Sequence, residues 1–193
     1  MDAALPLVER KQKAARQRIV LAAAKLFAER GFDGVSVSDI AELAEVGRTT
    51  FFRHFGDKQE VVFAREQDLL DALTEENLDD VASRGRTLRD GLLALQPLVL
   101  RLCAHISADP EDYRQHEQLV DSNVELRARS AAKMQMVAGR LGHLLVDQGW
   151  EAPVGNLAAQ IALACYWTAR ASGDGPEALV ESTAAAFRQV LDL

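Results

Sequence analysis

The chain has 193 residues, 48% of them hydrophobic, which is enough for one large domain or two small ones with a substantial core. Its formal net charge is −7, and no apolar run reaches the roughly 18 residues that a transmembrane helix requires. The first residues lack a cationic start followed by a long apolar stretch, so we expect no secretory signal, no membrane partner and a cytoplasmic location.

The charge is unevenly distributed along the chain. Residues 1–60 carry ten Lys/Arg against nine Asp/Glu, whereas residues 61–193 carry twelve against twenty. A local cationic cluster can still bind phosphate on an acidic protein, because charges more than roughly 8 Å away are screened at physiological salt. The first part contains such a cluster, although a solvated helix face is the alternative: Arg10, Lys11, Lys13, Arg16 and Arg18.

The N-terminal part predicts two helices before the first break. Apolar residues at helical spacing favour a helix over about 11–30, which Gly31 ends. Ser36 is a candidate N-cap for a second helix over 37–44, and Asp39 three residues later completes a capping box.

The third predicted helix, 48–55, combines cations with three phenylalanines and contains no acid. On a helical wheel Phe51 and Phe55 face the core, whereas Phe52 is displayed on the opposite side beside Arg53. Arginine binds guanine or phosphate, and an apolar side chain can contact a thymine methyl group. The pattern therefore favours the second helix of a helix-turn-helix motif that reads the major groove of double-stranded DNA.

Beyond this motif the chain has an almost entirely helical pattern. Helices are expected from near Lys58, capped by Asp57, and over 88–106, 110–121, 124–148, 153–172 and 177–191. Pro97 predicts a kink in the first of the long helices. No strand pattern occurs, so the fold class is all-α with about nine helices.

The stretch from Ser36 to Val61 resembles the N-terminal domain of TetR-type transcriptional regulators. The matching positions are Val37, Ile40, Ala41, Ala44, Val46, Thr50, His54, Phe55 and Lys58. The resemblance implies a helix-turn-helix DNA-binding domain over 1–57 and a C-terminal helical bundle for ligand binding and dimerisation over 58–193. It also implies a homodimer that pairs through the last two helices and binds a near-palindromic operator, with half-sites about 34–36 Å apart or a small multiple of that.

Carried over by position, the resemblance assigns DNA contacts to individual residues. Those facing bases or nearby backbone are Arg48, Thr49, Thr50, Phe52 and Arg53. Those contacting phosphates are Ser36, His54 and Lys58. Further backbone or minor-groove contacts fall to Arg10, Lys11, Lys13 and Arg16.

Three positions depart from the family pattern. Glu45 stands where the family usually has glycine, and a positive φ there would cost about 1 kcal/mol or more. Gly47 stands where a serine usually caps the third helix, so a turn rearranged around Gly47 is an alternative. Phe52 replaces the usual tyrosine and loses a hydroxyl that could bind phosphate.

The larger, acidic part is expected to hold a small, largely apolar effector. Candidate lining residues are Phe63, Leu95, Val99, Leu102, Cys103, Ile106, Tyr113, Met134, Val137, Leu141, Tyr166 and Trp167. Polar residues that could orient a ligand are Arg101, His105, His116, Asn123 and Arg170.

The sequence thus predicts a ligand-responsive transcriptional regulator, in the first place a repressor. We expect no cofactor and no enzymatic activity, because the chain shows no nucleophile–base arrangement, no metal-ligand spacing and no phosphate loop. Two alternatives stay open. One is a regulator that senses redox state through Cys103, and the other is a helical scaffold without DNA binding, for which Glu45 is the strongest argument.

Overall fold

The computed structural model describes residues 6–64, 66–68 and 86–192, and within these ranges the chain forms helices and turns with no strand. The helices delimited there are α1 (Leu7–Arg30), α2 (Val37–Leu43), α3 (Arg48–His54), α4 (Lys58–Val62), α5 (Leu88–Ile106), α6 (Pro110–Ser122), α7 (Val124–Asp147), α8 (Ala152–Ala171) and α9 (Leu179–Leu191). The all-α fold class is confirmed.

Most helix boundaries fall within one residue of the sequence prediction, with two exceptions. Helix α1 begins at Leu7 rather than near residue 11, directly after Pro6. Its first turns are exposed, so they carry no apolar stripe from which their helical state could be inferred. Helix α9 begins at Leu179, two residues later than expected.

The described residues divide into two compact units. The first contains 6–64 and Gln118–Leu126, and the second contains the remaining described residues between 66 and 192. Helix α4 belongs to the first unit, because Val61 and Phe63 are buried in its core. The packing boundary therefore lies beyond the expected one between residues 57 and 58.

The core of the first unit is formed by apolar residues of α1 to α4. Helix α1 contributes Ile19, Leu26 and Phe27, α2 contributes Ile40, and α3 contributes Phe51. In the second unit α5, α8 and α9 pack on one another. Small residues of α8 make that packing close, and those fully buried are Ala158, Ala159 and Ala162.

No single helix in the described residues is both long and apolar enough to cross a membrane. Helices α5 and α6 together meet the length and composition criteria, and they are bent by 92°.

Candidate nucleic-acid interface

The start of α2 is fixed by the predicted capping box. The hydroxyl of Ser36 accepts a hydrogen bond from the backbone N–H of Asp39 at 3.2 Å. In return the Asp39 carboxylate accepts the backbone N–H of Ser36 at 2.7 Å and also the Ser36 hydroxyl. These hydrogen bonds from Ser36 hold the pKa of Asp39 below its usual value. Ser36 therefore caps the helix, and its contact with a DNA phosphate stays a prediction.

The turn between α2 and α3 is built around a left-handed residue. Glu45 has φ 53° and is the one non-glycine residue with positive φ in the described part of the chain. The following amide, that of Val46, donates to the carbonyl of Ala41 at 3.0 Å and closes the turn. Gly47 has φ −71° and serves as the extended N-cap of α3. The alternative of a turn rearranged around Gly47 is therefore wrong, because the left-handed position has not moved.

Replacing Glu45 with glycine should raise the free energy of unfolding by about 1 kcal/mol, since glycine adopts positive φ without strain. Little is lost with the side chain, because its carboxylate is exposed and lies 3.9 Å from Arg18. Urea denaturation followed by circular dichroism measures the change. The matched control is Glu42→Gly, in the last turn of α2, which should lower stability by a similar amount. Equal destabilisation by both changes would contradict the assignment of strain to Glu45.

Helix α3 presents the two faces that the helical wheel predicts. Phe51 and Phe55 are 0% and 4% exposed, and their ring centres lie 5.9 Å apart. Phe52 is 46% exposed and packs edge-on against Phe51. Arg48, Thr49 and Arg53 are exposed on the outer face, and Thr50 is half-buried. The outer face thus combines guanidinium, hydroxyl and aromatic groups with no carboxylate within the helix, a surface suited to base edges and phosphates.

His54 ends α3 with its imidazole turned partly inward. Its Nε2 atom is buried and has no hydrogen-bond partner. Burial lowers the pKa of His54, and the nearby charges of Arg53 and Arg16 lower it further. The imidazole is therefore neutral near pH 7, so its expected phosphate contact, still a prediction, would involve an uncharged group.

Two of the predicted DNA-binding cations have partners inside the first unit. The ammonium of Lys58 donates to the carbonyl oxygens of Phe32 at 2.7 Å and Val35 at 2.8 Å. A guanidinium N–H of Arg16 donates to the carbonyl of Ala64 at 3.1 Å. The structure thus gives both residues an internal role that the sequence did not indicate. The remaining predicted cations of α1 are exposed: Arg10, Lys11 and Lys13.

The expected effector-lining residues are distributed over both units. Phe63 was expected with the others, but it is fully buried in the core of the first unit. Buried in the core of the second unit are Leu95, Val99, Cys103, Tyr113 and Leu141, and packed against that core are Leu102, Ile106, Val137 and Tyr166. Met134 and Trp167 are half-buried. All but Phe63 therefore belong to the second unit, and their role as ligand contacts stays a prediction.

A polar aromatic cluster adjoins the core of the second unit. Burial raises the pKa of Tyr113 to about 12, even though the Tyr166 side chain hydrogen-bonds to it. Arg170 forms an ion pair with Glu117, and its guanidinium lies 5.2 Å from the centre of the Trp167 ring. Glu117 was not singled out from the sequence, where nothing distinguishes it from other surface acids of α6.

The other polar candidates have different surroundings. His116 Nε2 lies 2.9 Å from a carboxylate oxygen of Glu66. The Asn123 side chain accepts the backbone N–H groups of Glu125 and Leu126, so it caps α7. Arg101 and His105 are exposed.

Comparison of the sequence with known proteins finds relatives among transcriptional regulators. A family model described as bacterial regulatory proteins, tetR family, matches residues 19–64. The repressor AcnR of Corynebacterium efficiens is 29% identical over 129 residues, which are 63% of this chain and 68% of that protein. The regulator TcmR of Streptomyces glaucescens is 42% identical over 55 residues, which are 28% of this chain but only 24% of that protein.

The fold is similar to that of solved structures over nearly the whole chain. A tetR-family regulator from Mesorhizobium loti superposes with a TM-score of 0.57 at 22% identity, over 94% of this chain and 96% of that one. SmeT of Stenotrophomonas maltophilia, in complex with triclosan, gives a TM-score of 0.60 at 20% identity, over 93% and 90%.

Proposed function

The chain belongs to the TetR family of bacterial transcriptional regulators, and on this premise we propose that it is a ligand-responsive repressor that binds a near-palindromic operator as a homodimer. A small, largely apolar effector releases it from the DNA. Helix α3 of each subunit enters the major groove, and its outer face makes the base contacts.

One observation carries the proposal: α3 buries Phe51 and Phe55 and exposes Arg48, Phe52 and Arg53. The buried pair fixes the rotation of the helix about its axis, so the cationic face points to solvent. A helix that served only as scaffold would have no need of such a face. The turn at Glu45 also favours DNA binding over a scaffold role, because the residue keeps a left-handed conformation that costs conformational free energy.

Redox sensing through Cys103 has little support. The thiol is buried and lies 3.6 Å from the Thr183 hydroxyl. Burial raises the pKa of Cys103, so the reactive thiolate is scarce at neutral pH.

Dimerisation through α8 and α9 is supported by the surface of α8. Residues four apart on this helix leave an exposed stripe of small and polar side chains, Asn156, Gln160, Ala164 and Thr168, with Leu157 beside it at 50% exposure. Small side chains allow two helices to approach closely. An apolar residue exposed beside them favours a second copy of the chain as the partner.

An apolar effector is supported by the lining candidates of the second unit, which are aliphatic or aromatic except for a few polar groups. Among proteins of similar fold, SmeT has been solved with triclosan, an apolar molecule, and a FadR with stearoyl-CoA, which joins a long apolar acyl chain to a charged coenzyme A group. Release from DNA requires that the effector bind the non-DNA-binding arrangement more tightly than the DNA-binding one.

Selection of bound duplexes from a random-sequence library tests the proposal, which predicts enrichment of an inverted repeat. On the selected duplex, Arg48→Ala or Arg53→Ala should each cost about 1–3 kcal/mol of binding free energy and relax the sequence preference. Fluorescence anisotropy on the selected and scrambled duplexes measures both effects. Arg140→Ala, which removes an exposed arginine of α7, is the control and should change neither. Equal losses for all three variants would exclude α3 as the reading helix.

A further inference from the structure

Helix α4 is held at its beginning by Lys58. This residue is the first of α4, and its ammonium donates to the carbonyl oxygens of Phe32 and Val35, at 2.7 and 2.8 Å. The same ammonium lies 4.0 Å from the centre of the Phe32 ring. Both carbonyls belong to the turn between α1 and α2, immediately before the cap of α2 at Ser36. The start of α4 is thereby tied to the segment from which the helix-turn-helix begins.

The residues after α4 are held by a second cation. Arg16 of α1 donates to the carbonyl of Ala64, and its guanidinium lies 5.1 Å from the centre of the Phe55 ring. Phe55 is the residue at which α3 ends and is one of its two buried anchors. Two cations thus connect the short helix α4 to both ends of the helix-turn-helix.

We propose that Lys58 is a positioning residue for DNA recognition. It fixes the start of α4 against the α1–α2 turn, and so keeps α2 and α3 in the orientation that the major groove requires, instead of lending its charge to a DNA phosphate. The inference rests on the proposed function, since it concerns how the DNA-binding face of α3 is kept in its orientation.

The contacts of Lys58 favour positioning over phosphate binding. Its ammonium is half-buried and already has two short, charge-assisted hydrogen bonds and an aromatic ring beneath it. To contact a phosphate, the ammonium would have to give up its hydrogen bonds to the two carbonyl oxygens and its contact with the Phe32 ring. A cation that keeps its internal partners displaces no counterion from DNA, so it should leave no trace in the salt dependence of binding.

The test compares the salt dependence of binding for Lys58→Met and Lys13→Met on the selected duplex. Lys58→Met should weaken binding by about tenfold at every salt concentration, because the orientation of α3 is lost, while the slope of log affinity against log salt stays that of the wild type. Lys13 is an exposed lysine of α1, so the matched change there should flatten the slope of the dimer by about 1.8, or about 0.9 for each subunit, if it meets a phosphate. All measurements are made at temperatures where circular dichroism shows the variants to be folded.

Two results would overturn the inference. A slope flattened by about 1.8 for Lys58→Met, or about 0.9 for each subunit of the dimer, would identify a phosphate contact. Unchanged affinity and slope with a lowered melting temperature would reduce Lys58 to a contributor to stability. If Lys58→Met does not fold, the same measurements are made on Lys58→Gln, which can still donate to one carbonyl. The same results then support or overturn the inference. If the wild type shows no salt-dependent preference for the selected duplex, the proposed function fails, and the inference fails with it.

Discussion

Replacing Phe51 with alanine should destabilise the first unit by about 3–5 kcal/mol, whereas the same change at the adjacent Phe52 should leave it folded. Phe51 is fully buried at the centre of the core formed by α1 to α4, so truncation leaves a cavity that its neighbours cannot fill. The exposed ring of Phe52 already contacts solvent on one side, and its removal opens no cavity. The pair is therefore a matched test of which face of α3 points inward.

Hydrogen exchange resolved by peptide measures the difference, because it reports the first unit separately from the second. Phe51→Ala should accelerate exchange throughout α1 to α4 and spare the helices of the second unit. Phe52→Ala should keep wild-type exchange and lose only DNA affinity. If Phe52→Ala opened the unit and Phe51→Ala did not, the orientation of α3, and with it the proposed DNA surface, would be wrong.

This orientation could be predicted from the sequence because it depends on local spacing alone. Two phenylalanines four residues apart must share one face of a helix, and the cap at Ser36 and the left-handed residue at Glu45 are likewise properties of short segments. Burial in the structure follows the same spacing. Local patterns also sufficed for the all-α fold class, since each helix shows its own apolar period.

The roles of Lys58 and Arg16 could not be predicted in the same way. Their acceptors are backbone carbonyls 23 to 48 residues away in the chain, and every residue type has such a carbonyl. A family resemblance therefore predicts that a cation near the motif contacts DNA. Only the folded structure shows that these two cations donate hydrogen bonds to backbone carbonyls of the same chain. Phe63 is a similar case: its apolar character predicts burial, but not which of the two cores receives it.

The pattern of α8 was informative in part. The sequence over 153–172 is apolar around most of the helical circumference, a pattern typical of a helix buried on more than one face. Small residues of α8 are buried in the second unit, whereas the stripe through Gln160, Ala164 and Thr168 is exposed in the single chain. A sequence does not distinguish burial within a chain from burial against a second copy, because both favour small and apolar side chains. The distinction has to come from association measurements.

Replacing Ala164 with arginine should weaken dimerisation by about 100- to 4,000-fold while leaving the fold of each chain intact. Ala164 is exposed in the single chain, so the longer side chain meets no obstacle within it. In a close-packed contact between two copies of α8, the guanidinium would be buried without a partner, which costs about 3–5 kcal/mol, equivalent to that change in dissociation constant. Sedimentation velocity over a concentration series measures the shift from dimer to monomer.

The control is Ala104→Arg, which makes the same change at an exposed alanine of α5 and should leave the dimer intact. The two variants also separate dimerisation from DNA reading. Because a dimer binds both half-sites at once, Ala164→Arg should lose affinity for the full inverted repeat while its weak binding to a single half-site is unchanged. A variant that stays dimeric would show that α8 faces solvent in the assembly. A monomer with full affinity for the repeat would show instead that the two recognition helices are brought together by the DNA itself.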